Sequence, residues 1–401
     1  MDAVKAERYA NILPMEELNT PEKRLLPFTI YNNLRTTTPV RYDESRGCWD
    51  VFRYEDVHRI LKDPATFSSV RKLAERDTIL TMDPPRHTQM RALVNKAFTP
   101  KVVNDLAPHI ASITQELLDA VASKGQMDTV HDLAVPLPVI VIAELLGVPP
   151  KDRHLFKEWS DILVKGPDVN TDEAFRQVMM EKAQAMKELN AYFAVILEER
   201  RQKPQEDLIS LLLEAEVEGQ KLTDEELLGF CILLLAAGNE TTTNLITNAV
   251  RRLTEDQELQ KQLQEQPELI PSFVEEVLRY YPPIQAIGRV VMQDVEIQGI
   301  PIKAGQQVVS WVAAANRDDN KFPDPDRFIV DRKPNAHLSF GFGTHFCLGA
   351  PLARLEGQVV LSHLLQRFHD IEFVSGSELQ YIQSPFVFGV KQYPVRFRSV
   401  K

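Results

Sequence analysis

The sequence predicts an α+β fold in which helix predominates, with small β-sheets built from an N-terminal segment, from residues 289–312 and from the C-terminal segment. Three observations lead there. Strand-like patterning, rich in β-branched and aromatic residues, is confined to three distant stretches. From about 83 to 282 apolar residues recur instead at helical spacing. Glycine is scarce (16 of 401 residues, about 4% against an average near 7%) while proline is plentiful at 26, as in helices with many sharp stops. Because strands come from both ends of the chain, the elements read as one interwoven domain over 1–401.

Taken in order, the first strand signal is Val40 to Tyr54, where two runs flank the turn residues Ser45-Arg46-Gly47. Asp83 then stands as an N-cap before Pro84 and Pro85, opening a basic helix that runs to Lys96. Pro100 to Ala122 reads as one helix, with Val102, Val103, Leu106, Ile110, Ile113, Leu117, Leu118 and Val121 near a 3.6 period, and Glu181 to Arg201 reads likewise. Thr223-Asp-Glu-Glu226 is a capping box. The helix it opens is apolar almost all round to Ala237, and Gly238-Asn239-Glu240-Thr241-Thr242-Thr243-Asn244 then interrupts it. Another helix follows Pro271. Strand patterning returns at Arg289 to Val312, around turns at Gly299 and Gly305, and again from Ile371 to Val400. Between them a glycine-rich loop, 340–349, leads into a helix with Pro351 in its first turn.

Composition excludes several classes. Hydrophobic residues at 44% and charged residues at 26% fit a globular chain and not a disordered one. Net charge is −11, which opposes bulk attraction to nucleic acid or anionic membrane. Cys48, Cys231 and Cys347 lie far apart without a CxxC pair, so neither a disulfide framework nor a cysteine-rich zinc site is expected, and three thiols fit a reducing compartment. Met1 to Thr20 holds no uninterrupted apolar stretch, and the longest apolar run, Phe230 to Ala237, is far short of the roughly 20 residues of a membrane span. The expectation is a cytoplasmic monomer with no membrane anchor and no nucleic-acid partner.

Four groups of residues have chemical potential. Cys347 lies just before a helix start, where the dipole and free N–H groups favour thiolate, suited to a nucleophile or a metal ligand; the plainer reading is a packed free cysteine. Glu240 beside Thr241, at an opening in a buried helix, forms an acid–alcohol proton relay, unless the helix simply becomes exposed at Asn239. Glu276 and Arg279 are three apart on one helix and by spacing alone make a surface ion pair. His87 and Arg91, one turn apart, make either an anion site or a solvated charged face.

Together these residues resemble a family. The Phe340-x-x-Gly343-x-His345-x-Cys347-x-Gly349 loop, the Ala237-Gly238-x-Glu240-Thr241-Thr242 helix and the Glu276-x-x-Arg279 helix stand in the order and spacing of the cytochrome P-450 enzymes, the haem-thiolate monooxygenases, most like the soluble bacterial branch. Asn316-Arg317-Asp318 and Phe322 to Phe328 resemble the segment that precedes the cysteine loop in that family. The resemblance implies haem b (heme b, iron protoporphyrin IX) with Cys347 as the axial thiolate, and Phe340 packed near the sulfur. His87, Arg91, Arg289 and His345 would answer the two haem propionates as four basic groups. Glu240 and Thr241 would deliver protons to bound O2, while Glu276 and Arg279 would serve a buried structural network. The implied reaction places one oxygen atom of O2 in an unactivated C–H bond.

No dinucleotide fingerprint follows a strand, so electrons would come from a ferredoxin or flavodoxin and its NAD(P)H-dependent reductase. Arg86, Arg91, Lys96 and Arg354 would form the docking patch for that acidic partner. By resemblance the pocket is lined by segments at 70–81, roughly 167–180, 233–237, 284–287 and 385–387. Ile79, Leu80, Leu235, Ala237, Ile284, Ile287, Phe386 and Val387 make it apolar, which predicts a fatty acid, steroid or terpenoid substrate; Arg71, Lys72 or Arg76 either anchor a carboxylate or, the plainer reading, are solvated in their loop. Rival readings are a peroxide-driven peroxygenase, a non-catalytic haem sensor, and a haem-free hydrolase using Cys347 with His345. The Glu240–Thr241 pair argues against the first, and two residues' separation in one loop argues against the last.

Overall fold

The computed structural model describes residues 15–70, 78–164, 172–217, 219–382, 384 and 386–400. The first strand signal is the expected hairpin: β1 (Val40–Asp43) pairs with β2 (Cys48–Val51) across a turn in which Gly47 takes φ 66°. With β3 (Phe67–Ser68), β5 (Ile287–Val291) and β8 (Gln307–Ser310) they form one mixed sheet in the order β1-β2-β8-β5-β3. β2 and β8 run parallel, so the two ends of the sequence are stitched together at the middle of this sheet. β4 (Gln126–Asp128), β9 (Phe368–Phe373) and β10 (Pro394–Ser399) form a second sheet, and β6 (Val295–Ile297) pairs with β7 (Ile300–Ile302).

The helices that position the site are α1 (Tyr54–Lys62), α2 (Arg86–Ala97), α3 (Pro136–Leu145), α4 (Asp172–Gln202), α5 (Asp224–Glu255), α6 (Ile270–Tyr280) and α7 (Ala350–Arg367). α5 runs through the centre and packs against α3, α4, α6 and α7. Its Thr223 capping box is formed, with Thr223 N–H donating to Glu226 Oε2 at 2.9 Å. Among the described residues no helix is long and apolar enough to cross a membrane.

Three local expectations are corrected. The 100–122 segment is two helices, Pro100–Asp105 and Ala107–Ala122, because Pro108 cannot donate back to the preceding turn. α5 is continuous through 238–244 rather than interrupted. Its polar side chains find partners that leave the backbone ladder intact: Thr241 Oγ1 donates to the Ala237 carbonyl at 2.8 Å, Thr243 Oγ1 to the Ala134 carbonyl at 2.9 Å, and Asn244 Nδ2 to the Glu240 carbonyl at 2.8 Å. Asn239 is buried, so the helix does not turn to solvent there. Asp83 does not cap α2 with its side chain; its carboxylate turns to Ser68 and Ser69.

Glu276 and Arg279 do not form a surface pair. Both side chains are fully buried. Arg279 holds Glu276 through two bonds of 2.8 Å and spends its remaining donors on the carbonyls of Asn316, Pro325 and Arg327. Glu276 also accepts from Ile329 N–H, Arg332 and Asn335. A buried fork-on-carboxylate with every lone pair answered is destabilising to break, because one charge is then left without a partner. Arg279→Leu is therefore expected to cost about 3 kcal/mol or more, read as the urea unfolding midpoint; a loss under about 1 kcal/mol, the worth of an exposed pair, would contradict this account.

Candidate active site

The cysteine loop is shaped by two left-handed glycines, Gly341 at φ 72° and Gly343 at φ 70°. At Gly343 a Cβ would stand 3.0 Å from the Leu61 carbonyl oxygen and 3.1 Å from Lys62 Cα, so a bare backbone is also needed to lie against the end of α1. The loop then returns, with Cys347 N–H donating to the Phe340 carbonyl at 2.9 Å, and α7 begins three residues later. Cys347 is exposed, whereas Cys48 and Cys231 are buried and their thiols are pushed up to about 12 by burial. Enough protein still surrounds the Cys347 sulfur that desolvation raises its pKa. It thus opens into a walled cleft and not onto the outer surface. The N–H groups of Gly349 and Ala350, with Arg91 and Arg354, pull the other way and do not win. The expectation that the helix start alone favours thiolate is corrected: desolvation dominates, and a facing cation is the missing contribution.

Around this cleft the fold gathers the four basic residues the sequence singled out. His87 and Arg91 come from α2, Arg289 from β5 and His345 from the cysteine loop; the two imidazoles lie 4.2 Å apart. His345 Nε2 is 3.0 Å from Ser69 Oγ. His87 is buried with neither ring nitrogen hydrogen-bonded. Burial, then the neighbouring His87, Arg289 and Arg91, holds His345 down to about 4; burial and Arg91 lower His87 too. Before any anion is bound, the four do not carry four charges. Near neutral pH the positive charge is that of Arg91 and Arg289, and the imidazoles contribute hydrogen bonds. A buried imidazole with two unanswered nitrogens beside two guanidiniums, next to an open thiol, fits a group that brings carboxylates and a thiophilic metal together.

On α5, Ala237 is exposed between the buried Leu235 and Asn239, and Glu240 and Thr241 follow half-buried, so this line of the helix borders an opening. Burial pushes Glu240 up to about 7, against the pull of Lys182 on α4. A carboxyl group poised there can both hold and release a proton at working pH. Two residues escape sequence reasoning. Lys182 is brought to Glu240 only by packing of α4 on α5. Glu356, on α7, is buried, bonds Thr242 and is pushed up to about 8 by burial, with Oε1 unpartnered. Its one available signal is an acid set within a helix whose neighbouring positions are apolar.

Of the pocket residues, Ile284 pairs with Val387 in an isolated antiparallel bridge outside the strands, Ile287 lies against Gly341, and Phe386 is half-buried nearby. Ile79 is buried and Leu80 exposed. Leu235 is fully enclosed in the core and is corrected to a packing residue. Arg71, Lys72, Arg76, residues 167–171 and Pro385 lie outside the described residues. Of the expected docking patch, Arg86 and Lys96 keep exposed surface. Arg86 pairs with Glu226, Lys96 bonds the Glu216 carbonyl, Arg354 grips Glu275 at 2.6 and 2.8 Å, and Arg91 belongs to the site cluster.

The cytochrome P-450 family pattern matches residues 44–397. A cytochrome P-450 109 of Bacillus spizizenii is 54% identical over 393 residues, covering 98% of this chain and 97% of the relative. The erythromycin C-12 hydroxylase of Saccharopolyspora erythraea is 42% identical over 372 residues, 90% of this chain and 92% of its own. The crystal structure of CYP109E1 from Bacillus megaterium in complex with corticosterone superposes with a TM-score of 0.89 at 48% identity, covering 94% of this chain and 100% of that one. Similarity along almost the whole chain makes this protein a member of the cytochrome P-450 family, the haem-thiolate monooxygenases.

Proposed function

We propose that this monooxygenase hydroxylates a steroid-sized lipophile, acting as one cytoplasmic, monomeric haem-binding domain that draws electrons from a ferredoxin or flavodoxin served by an NAD(P)H-dependent reductase. The observation that carries the site assignment is the open Cys347 thiol beside the basic cluster of His87, Arg91, Arg289 and His345. Bound haem supplies the oxidising chemistry, the activation of O2 and its reduction by two electrons.

The chain supplies the rest. Cys347 would hold the haem iron through its sulfur, and Phe340, with Arg354 4.5 Å from its ring centre, packs at its side of the site. Arg91 and Arg289 would neutralise its propionates, and His87 and His345 would offer them hydrogen bonds. Thr241, its hydroxyl proton committed to the Ala237 carbonyl, offers oxygen lone pairs that order water. Glu240, pushed up to about 7, passes protons towards that water. Glu276 and Arg279 hold the segment leading into the cysteine loop. Ile284, Ile287, Phe386 and Val387, all apolar and half-buried, favour a lipophilic substrate. The corticosterone complex of the B. megaterium relative supports a steroid over a straight-chain acid.

Cys347→Ala is expected to abolish the far-red-shifted Soret band of the reduced carbon monoxide adduct; a variant that keeps the band excludes Cys347 as the ligand. A panel of steroids, macrolides and fatty acids, titrated while the haem spin state is followed in the visible spectrum, should give saturable shifts with steroids; a shift only with fatty acids rejects the substrate class. Thr241→Ala should keep consuming NAD(P)H while product is lost to peroxide. In the wild type, product per NAD(P)H should fall as pH rises through about 7, where Glu240 loses the acid form that burial has kept, and Glu240→Gln should flatten that profile. Unchanged coupling in both variants removes the pair from proton delivery.

A further inference from the structure

His345 is held by a residue far from it in sequence. Ser69 follows β3 directly, and its hydroxyl lies 3.0 Å from His345 Nε2. Ser69 is itself buried and fixed: its backbone N–H donates to Asp83 Oδ1 at 2.9 Å, and Ser68 Oγ donates to the other oxygen of the same carboxylate. Ser68 Oγ in turn accepts from Val70 N–H at 3.0 Å. β3 pairs with β5, where Ser68 stands opposite Val290, the residue after Arg289. The Asp83 carbonyl accepts the N–H of His87 at 3.0 Å. One aspartate therefore ties together the end of β3, the entrance of α2 and, through Ser69, the cysteine loop.

An imidazole has two ring nitrogens on opposite edges. With Nε2 engaged by Ser69, Nδ1 is the atom His345 has left to offer, and the ring can no longer swing about its side-chain bonds. We propose that Ser69 is a positioning residue for the prosthetic group: its hydroxyl, on a backbone N–H that Asp83 holds, anchors the Nε2 edge of His345 and so presents Nδ1 to a haem propionate. This rests on the reading of His345 as a propionate partner. It holds whether His345 is neutral or charged, because a serine hydroxyl both donates and accepts.

Purified holoenzyme tests it with Ser69→Ala, Ser69→Thr, His345→Gln and the Ser69→Ala/His345→Gln double variant. Haem loss to excess apomyoglobin is timed, and the propionate bending band is recorded by resonance Raman spectroscopy. Ser69→Ala should lose haem about 2- to 10-fold faster, the range set by the net worth of one hydrogen bond, and should shift the propionate band. Ser69→Thr, which keeps a hydroxyl, should restore both. In the His345→Gln background, removing the hydroxyl should add less than about 2-fold.

A wild-type loss rate and an unshifted band in Ser69→Ala, with His345→Gln clearly altered, overturn the role of Ser69 alone. If His345→Gln changes neither readout, the propionate assignment of His345 fails first and this inference with it. An equal Ser69→Ala effect in both backgrounds also overturns it, since Ser69 then acts through something else. Should Ser69→Ala not fold, Ser69→Cys, similar in size with only a weak donor, takes its place with the same expected direction.

Discussion

The buried carboxylate of Glu276 is the interaction on which the site depends. Arg279, Arg332, Asn335 and the Ile329 N–H all converge on it. Through Arg279 it draws in the carbonyls of Asn316, Pro325 and Arg327, so an irregular segment without its own ladder lies flat on α6. That segment hands on directly to the cysteine loop. Asn316 Oδ1 accepts Leu338 N–H at 2.8 Å, and Ser339 Oγ donates to the Leu278 carbonyl at 2.6 Å. Two residues further the cysteine loop makes its first left-handed turn, at Gly341. The position of Cys347 is thus inherited from α6 through polar contacts, which are directional in a way that apolar packing is not.

Glutamates near this site show how partners set proton affinity. Glu275, one residue from Glu276 and turned to the other side, is half-buried, and against the resulting desolvation Arg354 and His337 hold its pKa down to about 2. Glu240, whose opposing pull comes from Lys182, rises to about 7. Glu356, with only Thr242 to answer it, rises to about 8. Desolvation is the largest influence on all three, so the number and sign of the partners order the series. One side-chain type thereby provides a fixed charge, a group that titrates near neutrality and a protonated acid.

Features that depend on neighbours in sequence were legible in it. The hairpin at residues 40–54, the Thr223 capping box and the glycine loop before α7 depend on residues within a few positions of one another. The break at Leu106 was equally local, carried by Pro108, but was masked by an apolar period that runs through it. What depends on distant segments was not legible. Three-residue spacing shows that Glu276 and Arg279 can meet, and says nothing of the carbonyls 37 to 48 residues away that make the pair a buried hub. Ser69 and Lys182 look like ordinary polar residues until β3 and α4 carry them to His345 and Glu240. Resemblance to a family named His87 and His345 among four basic residues but carried no information on how burial and the neighbouring arginines lower the proton affinity of both imidazoles.

The cysteine itself shows why the polypeptide and its prosthetic group belong to one electrostatic unit. Desolvation raises the Cys347 thiol, and the Gly349 and Ala350 N–H groups with Arg91 and Arg354 offset only part of that rise. Were the offset complete, the protein alone would carry an ionised, oxidisable thiolate in an accessible cleft. Were it absent, a metal would have to overcome the whole burial cost by its own charge. The intermediate balance makes ionisation conditional on a cation facing the sulfur, because such a charge is the largest local influence and reverses the preference. The N–H groups then serve the charged sulfur, donating towards it from the start of α7. Arg354 is shared between that role and its two bonds to Glu275, so the charge beside the sulfur is fixed by an acid on α6, the helix that also carries Glu276.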